Sequence, residues 1–334
     1  MKVSFDRLRA VALGAVNVAE TAQGVRFYRF TEEQLAFYAD NPRSTTSAGV
    51  RLRFRTDSTT LGLSVVVTHK TSRSFFSMDV LVNGAPIGYL DNIGDTELWG
   101  NSNVELSIGR FAAEFDLGVG EKEVCIHFPW SVGIALEALT LDDGASVIPV
   151  KPTKRFLVFG DSITQGYDAK RPSNRYAAQV CDAFDAEEVN KAIGGEFFVP
   201  PLAAMPDGFT PDLIWVAYGT NDWSMHTDEQ FHTDCRAFYE TLCTTYAGVP
   251  IVAVTPIGRV TYRETACGRF EELSDRIRKE TAHLPQVTVV EGLEFVPTRA
   301  EYFGDKYLHP NDDGFAHYAH NLTKALTEVI HDRL

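Results

Sequence analysis

The chain has 334 residues, of which 44% are hydrophobic and 23% are charged, so it can bury a full core and is not a disordered chain. This length is long for one domain and comfortable for two. The formal net charge of −14 at pH 7 argues against nucleic acid or an anionic membrane as a partner.

The five cysteines are an odd number and contain no CxxC pair, which argues against a disulfide framework and against a zinc site. We therefore expect buried thiols in a reducing compartment. The apolar stretch AVALGAVNVAE follows Arg9, but it contains Asn17 and lacks a clean cleavage site, so we predict a strand and not a signal peptide. The sequence contains no run of transmembrane length, and a cytoplasmic location is the default expectation.

Residues 1–150 have the pattern of β structure. Asn83-Gly84 is a turn signal between two runs in which apolar and polar residues alternate. The runs of this kind are VRLRFRT (50–56), LGLSVVVTH (61–69), FSMDVLVNG (76–84) and KEVCIHF (122–128). Many short strands with few helical patterns predict an all-β sandwich or jelly roll over residues 1–150.

The pattern changes after IPVKPTK (148–154), which has the composition of a connector. Short apolar or mixed runs then alternate with helical patterns, which predicts βα units and a parallel sheet over residues 151–334. The capping box Thr227–Gln230 starts one helix, and the last helix begins near Asn311. The predicted strands are FLVFG, EEVN, LIWVAYG, IVAVTP and VTVVEG.

The segment FLVFGDSITQG (156–166) changes from a buried strand to Gly-Asp-Ser. Gly160 permits a tight turn, and Ser162 is then at or near the N-terminus of the next helix. Unpaired N–H groups and the positive end of the helix dipole at that point stabilise an alkoxide or a tetrahedral oxyanion. Ligands of open parallel sheets bind at this edge, outside the carboxyl ends of the strands.

Three further segments place chemistry at ends of the same predicted sheet. Gly194-Gly195 follows EEVN, and glycines allow a backbone N–H to approach a ligand closely. Asn221 follows LIWVAYG, and its amide can donate to an oxyanion. His309 lies on a loop before the last helix and has the titration range of a base for a serine nucleophile.

Each segment also has an ordinary structural explanation. Asp161-Ser162 fits a helix cap, Gly194-Gly195 a turn, Asn221-Asp222 a loop or cap pair, and His309 before Pro310 the start of a helix. These explanations do not account for all four segments at strand ends in one domain.

The four segments together resemble the sequence blocks of the SGNH hydrolases, also called the GDSL esterase/lipase family. Ile163 stands where leucine is usual, and the spacing from Asn190 makes Gly195 the better match to the oxyanion glycine. The resemblance covers about residues 155–334 through GDSI (160–163), NKAIGG (190–195), GTND (219–222) and HPN (309–311).

The resemblance implies a three-layer α/β/α domain of flavodoxin-like type that needs neither a cofactor nor a metal. It implies Ser162 as nucleophile and His309 as general base and then general acid. It also implies an oxyanion hole made by the backbone N–H groups of Ser162 and Gly195 and by the side chain of Asn221.

One departure from the family pattern concerns the acid of the triad. The family usually has an aspartate three residues before the histidine, where this chain has Lys306. Asp305 lies four residues before His309, and an extra residue bulging out of the loop lets it orient the imidazole. The alternative is a Ser-His dyad in which a backbone carbonyl orients His309. Asp305 would then be a solvated loop acid.

Aromatic residues next to the motifs are candidates for a substrate pocket. Phe197 and Trp223 follow two of the motif segments, and Trp130 lies on a loop of the β half. Core packing is the alternative for Phe197 and its neighbour Phe198. The other histidines considered as bases are expected to be surface or packing residues, namely His226, His317 and His320.

The β half is similar in architecture to the sandwich of some carbohydrate esterases of this family. We therefore predict a serine esterase that removes a short acyl group, acetyl above all, from a carbohydrate or another small molecule. An acyltransferase with the same acyl-enzyme and a carbohydrate-binding protein with an inactive hydrolase domain are the alternatives. Acyl length, the alcohol portion and the oligomeric state do not follow from the sequence.

Overall fold

The computed structural model describes residues 1–331. The chain folds into two compact units. The first contains Met1–Thr153 together with the short segments Lys170–Ser173 and Glu187–Val189. The second contains Lys154–Ala169, Asn174–Ala186 and the chain from Asn190 onward.

The first unit is built from two antiparallel sheets. Its strands are β1 (Ala12–Leu13), β2 (Asn17–Thr21), β3 (Gly24–Tyr28), β4 (Arg51–Thr56), β5 (Thr60–Lys70), β6 (Ser77–Val82), β7 (Ala85–Asp91), β8 (Arg110–Asp116), β9 (Lys122–His127), β10 (Val132–Leu141) and β11 (Ile148–Pro149). One sheet has six strands in the order β1-β4-β9-β6-β7, with β11 beside β4, and the other has five in the order β2-β3-β10-β5-β8. The helices of this unit are α1 (Phe5–Val11) and α2 (Glu32–Phe37).

The alternation of apolar residues creates the core between these sheets. In β5, Leu61, Leu63, Val65 and Val67 are buried, while the residues between them are more exposed. Leu61, Leu63 and Val65 join inward side chains of the other sheet in one apolar cluster, and Val67 belongs to a smaller cluster. The expected β sandwich is therefore present.

The secondary structure of two segments differs from the prediction. Within AVALGAVNVAE, Ala10 and Val11 end helix α1, and only the later residues form strands β1 and β2. The apolar periodicity of so short a segment does not distinguish a helix from a strand, but Ser4 caps α1 by accepting the N–H of Arg7. Ile148 and Pro149, expected in a connector, form β11.

The chain from Lys154 onward forms a five-stranded sheet in the order β13-β12-β14-β15-β16. Its strands are β12 (Lys154–Gly160), β13 (Ala186–Asn190), β14 (Leu213–Ala217), β15 (Ile251–Val254) and β16 (Val287–Val290). Strands β12, β14, β15 and β16 pair in parallel. The helices are α3 (Ser162–Gln165), α4 (Tyr176–Ala183), α5 (Pro200–Ala203), α6 (Thr220–Met225), α7 (Asp228–Thr245), α8 (Leu273–Thr281) and α9 (Asp312–His331).

Alternate residues of the central strand β12 face opposite layers of helices. Phe156 and Val158 belong to the apolar cluster that contains the buried faces of α4 and α9. Phe159 points to the other side, where its ring contacts Phe238 of α7 with ring centroids 5.6 Å apart. The domain is therefore a three-layer α/β/α structure, as expected.

The strand order reverses around β12, because β13 lies on one side of it and β14 on the other. Such a reversal opens a crevice at the carboxyl ends of the strands, where ligands bind. Ser162 follows β12 at this point. Among residues 1–331, no helix combines the length and apolar character needed to cross a lipid bilayer.

Candidate active site

Ser162 is the first residue of α3, directly after the buried strand β12. Asp161 caps this helix by accepting the N–H of Ile163 at 2.9 Å. Position 160 requires glycine, because a Cβ there would lie 2.3 Å from the side-chain oxygen of Thr164. Helix α3 is a single turn and has only a small dipole. Its contribution to an anion site therefore comes mainly from its unpaired N–H groups.

A chain of hydrogen bonds joins three of the predicted residues. Nε2 of His309 lies 2.8 Å from Oγ of Ser162, although the two residues are 147 positions apart in the sequence. Nδ1 of His309 lies 2.7 Å from Oδ2 of Asp305. Both distances are those of normal hydrogen bonds, so an acid, an imidazole and a hydroxyl form one continuous relay.

The loop before α9 accommodates the extra residue in the acid-to-histidine spacing. Phe303 and Pro310 form an antiparallel bridge, and the N–H of Gly304 donates to the carbonyl of His309 at 2.8 Å, so both ends of the loop are fixed. Lys306 has φ +73°, a left-handed conformation that few non-glycine residues adopt. Asp305 and His309 thereby face each other across this turn.

Asp305 is held from two directions. Its Oδ2 faces His309, while its Oδ1 accepts the backbone N–H groups of Tyr307, Leu308 and His309 at 3.0, 2.8 and 3.1 Å. Burial by itself raises the pKa of Asp305, but the hydrogen bond and charge of His309 and the backbone N–H groups outweigh it and lower the pKa to about 2. Asp305 is therefore an ionised carboxylate with a fixed orientation.

Three hydrogen-bond donors of the motif segments have unused capacity. Among the described residues, the backbone N–H groups of Ser162 and Gly195 donate to no acceptor. Asn221 donates one amide hydrogen to the carbonyl of Glu196 at 2.9 Å, and the second has no acceptor in the same part of the chain. The bond to Glu196 also ties α6 to the loop that carries Gly195.

Glycine occupies positions 194 and 195 for two different structural reasons. A Cβ on Gly194 would lie 2.7 Å from the hydroxyl of Tyr167, and the N–H of Gly194 is already used by the side chain of Gln165 at 2.7 Å. Gly195 has φ +85° and open space where a Cβ would be. Gly195, and not Gly194, therefore has an N–H available for a ligand, in agreement with the spacing from Asn190.

Residues 158–317 match the family described as GDSL-like Lipase/Acylhydrolase family. The chain carries a GDSL-like lipase/acylhydrolase domain. The expected family and enzyme class, a carboxylic ester hydrolase, are therefore confirmed. No curated protein sequence matches the chain significantly.

The similarity to solved structures extends over the β-rich part of this chain as well as over the GDSL-like domain. A putative GDSL-like lipase from Bacteroides ovatus is 17% identical with a TM-score of 0.78, over 99% of this chain and 98% of that one. A salicylyl-acyltransferase, SsfX3, is 19% identical with a TM-score of 0.77, over 95% and 94%. A carbohydrate esterase of family 2 from Corynascus thermopiles is 16% identical with a TM-score of 0.63, over 85% and 94%. At these identities the similarity establishes the shared fold.

The GDSL-like domain contains a second carboxylate beside the imidazole that the sequence analysis missed. Oδ2 of Asp168 lies 4.0 Å from Nδ1 of His309, and its side chain is 1% exposed. Asp168 has φ +69°, and Gly304 permits its approach, since a Cβ there would lie 2.6 Å from Cβ of Asp168. No motif block includes Asp168, and its position next to Tyr167 gave no signal in the sequence.

The imidazole of His309 thus faces Asp305, Asp168, Ser162 and the ring of Tyr167, whose centroid is 5.4 Å away. The ligand atoms of Asp168, Asp305 and His309 lie within 4.8 Å of one another, close enough to hold a cation. Asp305 and His309, however, already hydrogen-bond to each other, to Ser162 and to the loop backbone.

Two of the three predicted pocket residues do not line a pocket. Trp223 is 1% exposed and donates its Nε1–H to the carbonyl of Gly268 at 2.9 Å, so its ring is part of the interior. Trp130 is also 1% exposed and packs edge-on against Phe75 in the first unit. The sequence shows that an aromatic ring is near a motif but not which way it points.

Phe197 is partly exposed and stacks on the imidazole of His226 with centroids 4.2 Å apart. Phe198, in contrast, is buried among other rings. His226 is therefore a packing residue beside Phe197. The remaining histidines considered as bases, His317 and His320, are exposed on α9.

Two buried acids of the motif blocks have raised pKa values. Burial raises the pKa of Asp161 to about 6 and that of Asp222 to about 7. Asp222 accepts the N–H of Phe198 at 3.1 Å and thus fixes the chain beyond the Gly194-Gly195 pair. Asp161 and Asp222 therefore each hold the backbone of a motif segment in place.

Proposed function

We propose that the protein is a serine esterase that hydrolyses short-chain O-esters, acetyl esters above all, of a carbohydrate or another small molecule. The observation that carries this proposal is the continuous hydrogen-bond relay from Asp305 through His309 to Ser162. Relays of this kind activate a serine hydroxyl, which is otherwise a weak nucleophile.

In the proposed mechanism, Oγ of Ser162 attacks the ester carbonyl while its proton passes to Nε2 of His309. The N–H groups of Ser162 and Gly195 and the free amide hydrogen of Asn221 donate to the oxyanion. The imidazolium, stabilised by ionised Asp305, then returns its proton to the departing alcohol. A water activated by His309 hydrolyses the acyl-enzyme, and Ser162 regains its proton.

The carbohydrate part of the proposal is supported by the shared architecture. A family 2 carbohydrate esterase from Clostridium thermocellum, described in complex with cellohexaose, is 13% identical with a TM-score of 0.63 over 86% of this chain and 93% of that one. An acetyl xylan esterase from Butyrivibrio proteoclasticus is 14% identical with a TM-score of 0.59, over 86% and 91%. These descriptions favour acetylated sugars as the first substrates to test.

The test is hydrolysis of p-nitrophenyl acetate, butyrate and octanoate by the wild type and by Ser162→Ala. We expect turnover that requires Ser162 and falls as the acyl chain lengthens. Circular dichroism of the variant checks that the fold is retained. Turnover retained by Ser162→Ala disproves the nucleophile assignment, and a preference for octanoate disproves the short-chain assignment.

An acyltransferase is the second candidate function, because the chain shares its fold over nearly its full length with the salicylyl-acyltransferase. The acyl-enzyme is the same, but an alcohol takes the place of water. Product analysis with and without added alcohols distinguishes the two. Transfer that exceeds hydrolysis at modest alcohol concentration favours the transferase.

A further inference from the structure

Arg259 lies on the segment after β15 and has an unusual environment for a cation. Its Nε is fully buried and has no hydrogen-bond partner, and among residues 1–331 its guanidinium has neither an acceptor nor an acidic ion-pair partner. It contacts the ring of Trp223, with its Cζ 5.1 Å from the ring centroid. Burial lowers the pKa of Arg259, which reflects the cost of removing the charge from water.

The position of Arg259 is fixed between two segments that carry proposed catalytic residues. On one side, Trp223 lies two residues after Asn221 in α6. On the other side, the N–H of Val260 donates to the carbonyl of Tyr307 at 3.0 Å, two residues before His309. Arg259 therefore packs against the helix that carries the proposed oxyanion donor and directly precedes the residue that binds the loop of the relay.

The nearby acid does not neutralise Arg259. The charge of Asp305 acts on the guanidinium electrostatically, but the oxygens of Asp305 are used by His309 and by backbone N–H groups. Arg263, which also faces Arg259, donates to the hydroxyl of Ser224 at 3.0 Å and adds a second positive charge. In a chain with a formal net charge of −14, this is a local positive region.

A guanidinium that is partly desolvated and unpaired is poised for an anion. Its N–H groups form a fixed fork that fits a carboxylate with two parallel hydrogen bonds. We propose that Arg259 binds a carboxylate carried by the ester substrate, on either the acyl or the alcohol side of the scissile bond. This inference rests on the proposed esterase function and adds the charge of its substrate.

The experiment compares kcat/KM for esters with a carboxylate and for the matched neutral amides. Monomethyl succinate against methyl succinamate reports a carboxylate on the acyl side. The alcohol side is reported by 3-carboxyphenyl acetate against 3-carbamoylphenyl acetate. We expect the wild type to favour the carboxylate in one of the two pairs by about ten- to a hundredfold, the range of a charge-assisted hydrogen bond.

In Arg259→Gln this ratio should fall to near one, because the amide keeps polarity but not charge. Arg259→Lys should keep part of the preference. Arg269→Gln is the matched control, since Arg269 is 76% exposed and pairs with Glu271 on the same segment, and it should keep the wild-type ratio. A wild-type ratio near one in both pairs, or a ratio that Arg259→Gln leaves unchanged, overturns the proposal.

Two measurements separate this proposal from the esterase function itself. Hydrolysis of p-nitrophenyl acetate that requires Ser162 reports the esterase function alone, so a ratio near one with that hydrolysis intact refutes only the anion site. Calorimetry of Ser162→Ala with the same four intact esters, each carboxylate against its neutral amide, tests the anion site without turnover. Equal binding of acid and amide refutes the site, and stronger binding of the acid that is lost in the Ser162→Ala, Arg259→Gln double variant supports it.

Discussion

Asp305→Asn tests whether the proposed site is a triad, and the structure indicates how the variant fails. Three backbone N–H groups point at Oδ1 of Asp305, and only an oxygen can accept them. In the variant, the amide oxygen therefore takes this place and the NH₂ group faces Nδ1 of His309. Nδ1 must then be the acceptor, which puts the proton on Nε2, where it blocks transfer from Ser162.

A histidine held in the wrong tautomer costs about 10⁴ in kcat in the known serine protease case, equivalent to about 5 kcal/mol of transition-state stabilisation. We expect a loss of this size for p-nitrophenyl acetate, with KM changed far less. Steady-state kinetics of the wild type, Asp305→Asn and Asp168→Asn are the assay. The Asp168 variant is the matched control because its carboxylate lies near the same nitrogen but at 4.0 Å. A loss of only a few-fold in Asp305→Asn refutes the triad and favours a dyad.

The same variant has a signature in stability. Folding lowers the pKa of Asp305 from 3.8 to about 2, so the ionised carboxylate stabilises the fold above pH 3.8, by up to about 2 kcal/mol. This stabilisation is lost as the pH falls toward about 2. The difference in thermal midpoint between the wild type and Asp305→Asn should therefore shrink over that interval. A difference independent of pH contradicts the assignment of an ionised Asp305.

Three other substitutions test neighbouring parts of the site. Asn221→Ala removes one proposed oxyanion donor and should lower kcat by about 10²–10³ in ester hydrolysis, while a loss below about tenfold would remove Asn221 from the oxyanion hole. Asp168→Asn should lower kcat far less than Asp305→Asn, because the Asp168 carboxylate lies 4.0 Å from Nδ1 of His309; an equal loss means that Asp168 also holds the imidazole. Asp222 has a pKa raised by burial to about 7, so the fold binds its proton more tightly than the unfolded chain does and loses stability as the pH rises from about 4 through 7. Asp222→Asn should therefore gain about 3 kcal/mol relative to the wild type between pH 5 and pH 8 in urea unfolding, and an equal effect at both pH values contradicts this.

The sequence predicted local features well because their causes are local. The Asn83-Gly84 turn forms with both residues at positive φ, as a two-residue hairpin turn requires. The capping box at Thr227 forms as expected and starts α7. The prediction of a strand after Arg9 was wrong in part, because a short apolar run fits a helix as well as a strand until its contacts are known.

The orientation of rings near the motifs could not be predicted. Trp223 follows Asn221 by two residues, but its indole turns inward and donates to Gly268. Which face of α6 is buried depends on the packing of the segment around Phe270, with ring centroids 5.0 Å from Trp223. That segment comes more than forty positions later in the chain, so no local pattern contains this information.

The sequence by itself determined the family and the order of the motifs, and it predicted the serine, asparagine and histidine of the candidate site, because these depend on residue types at strand ends. The tertiary structure decided which carboxylates meet the imidazole. Asp305 reaches it only because Lys306 adopts φ +73°, and Asp168 reaches it only because Gly304 leaves room. Such distances depend on backbone angles and on packing between segments distant in sequence, and the amino-acid order does not specify them locally.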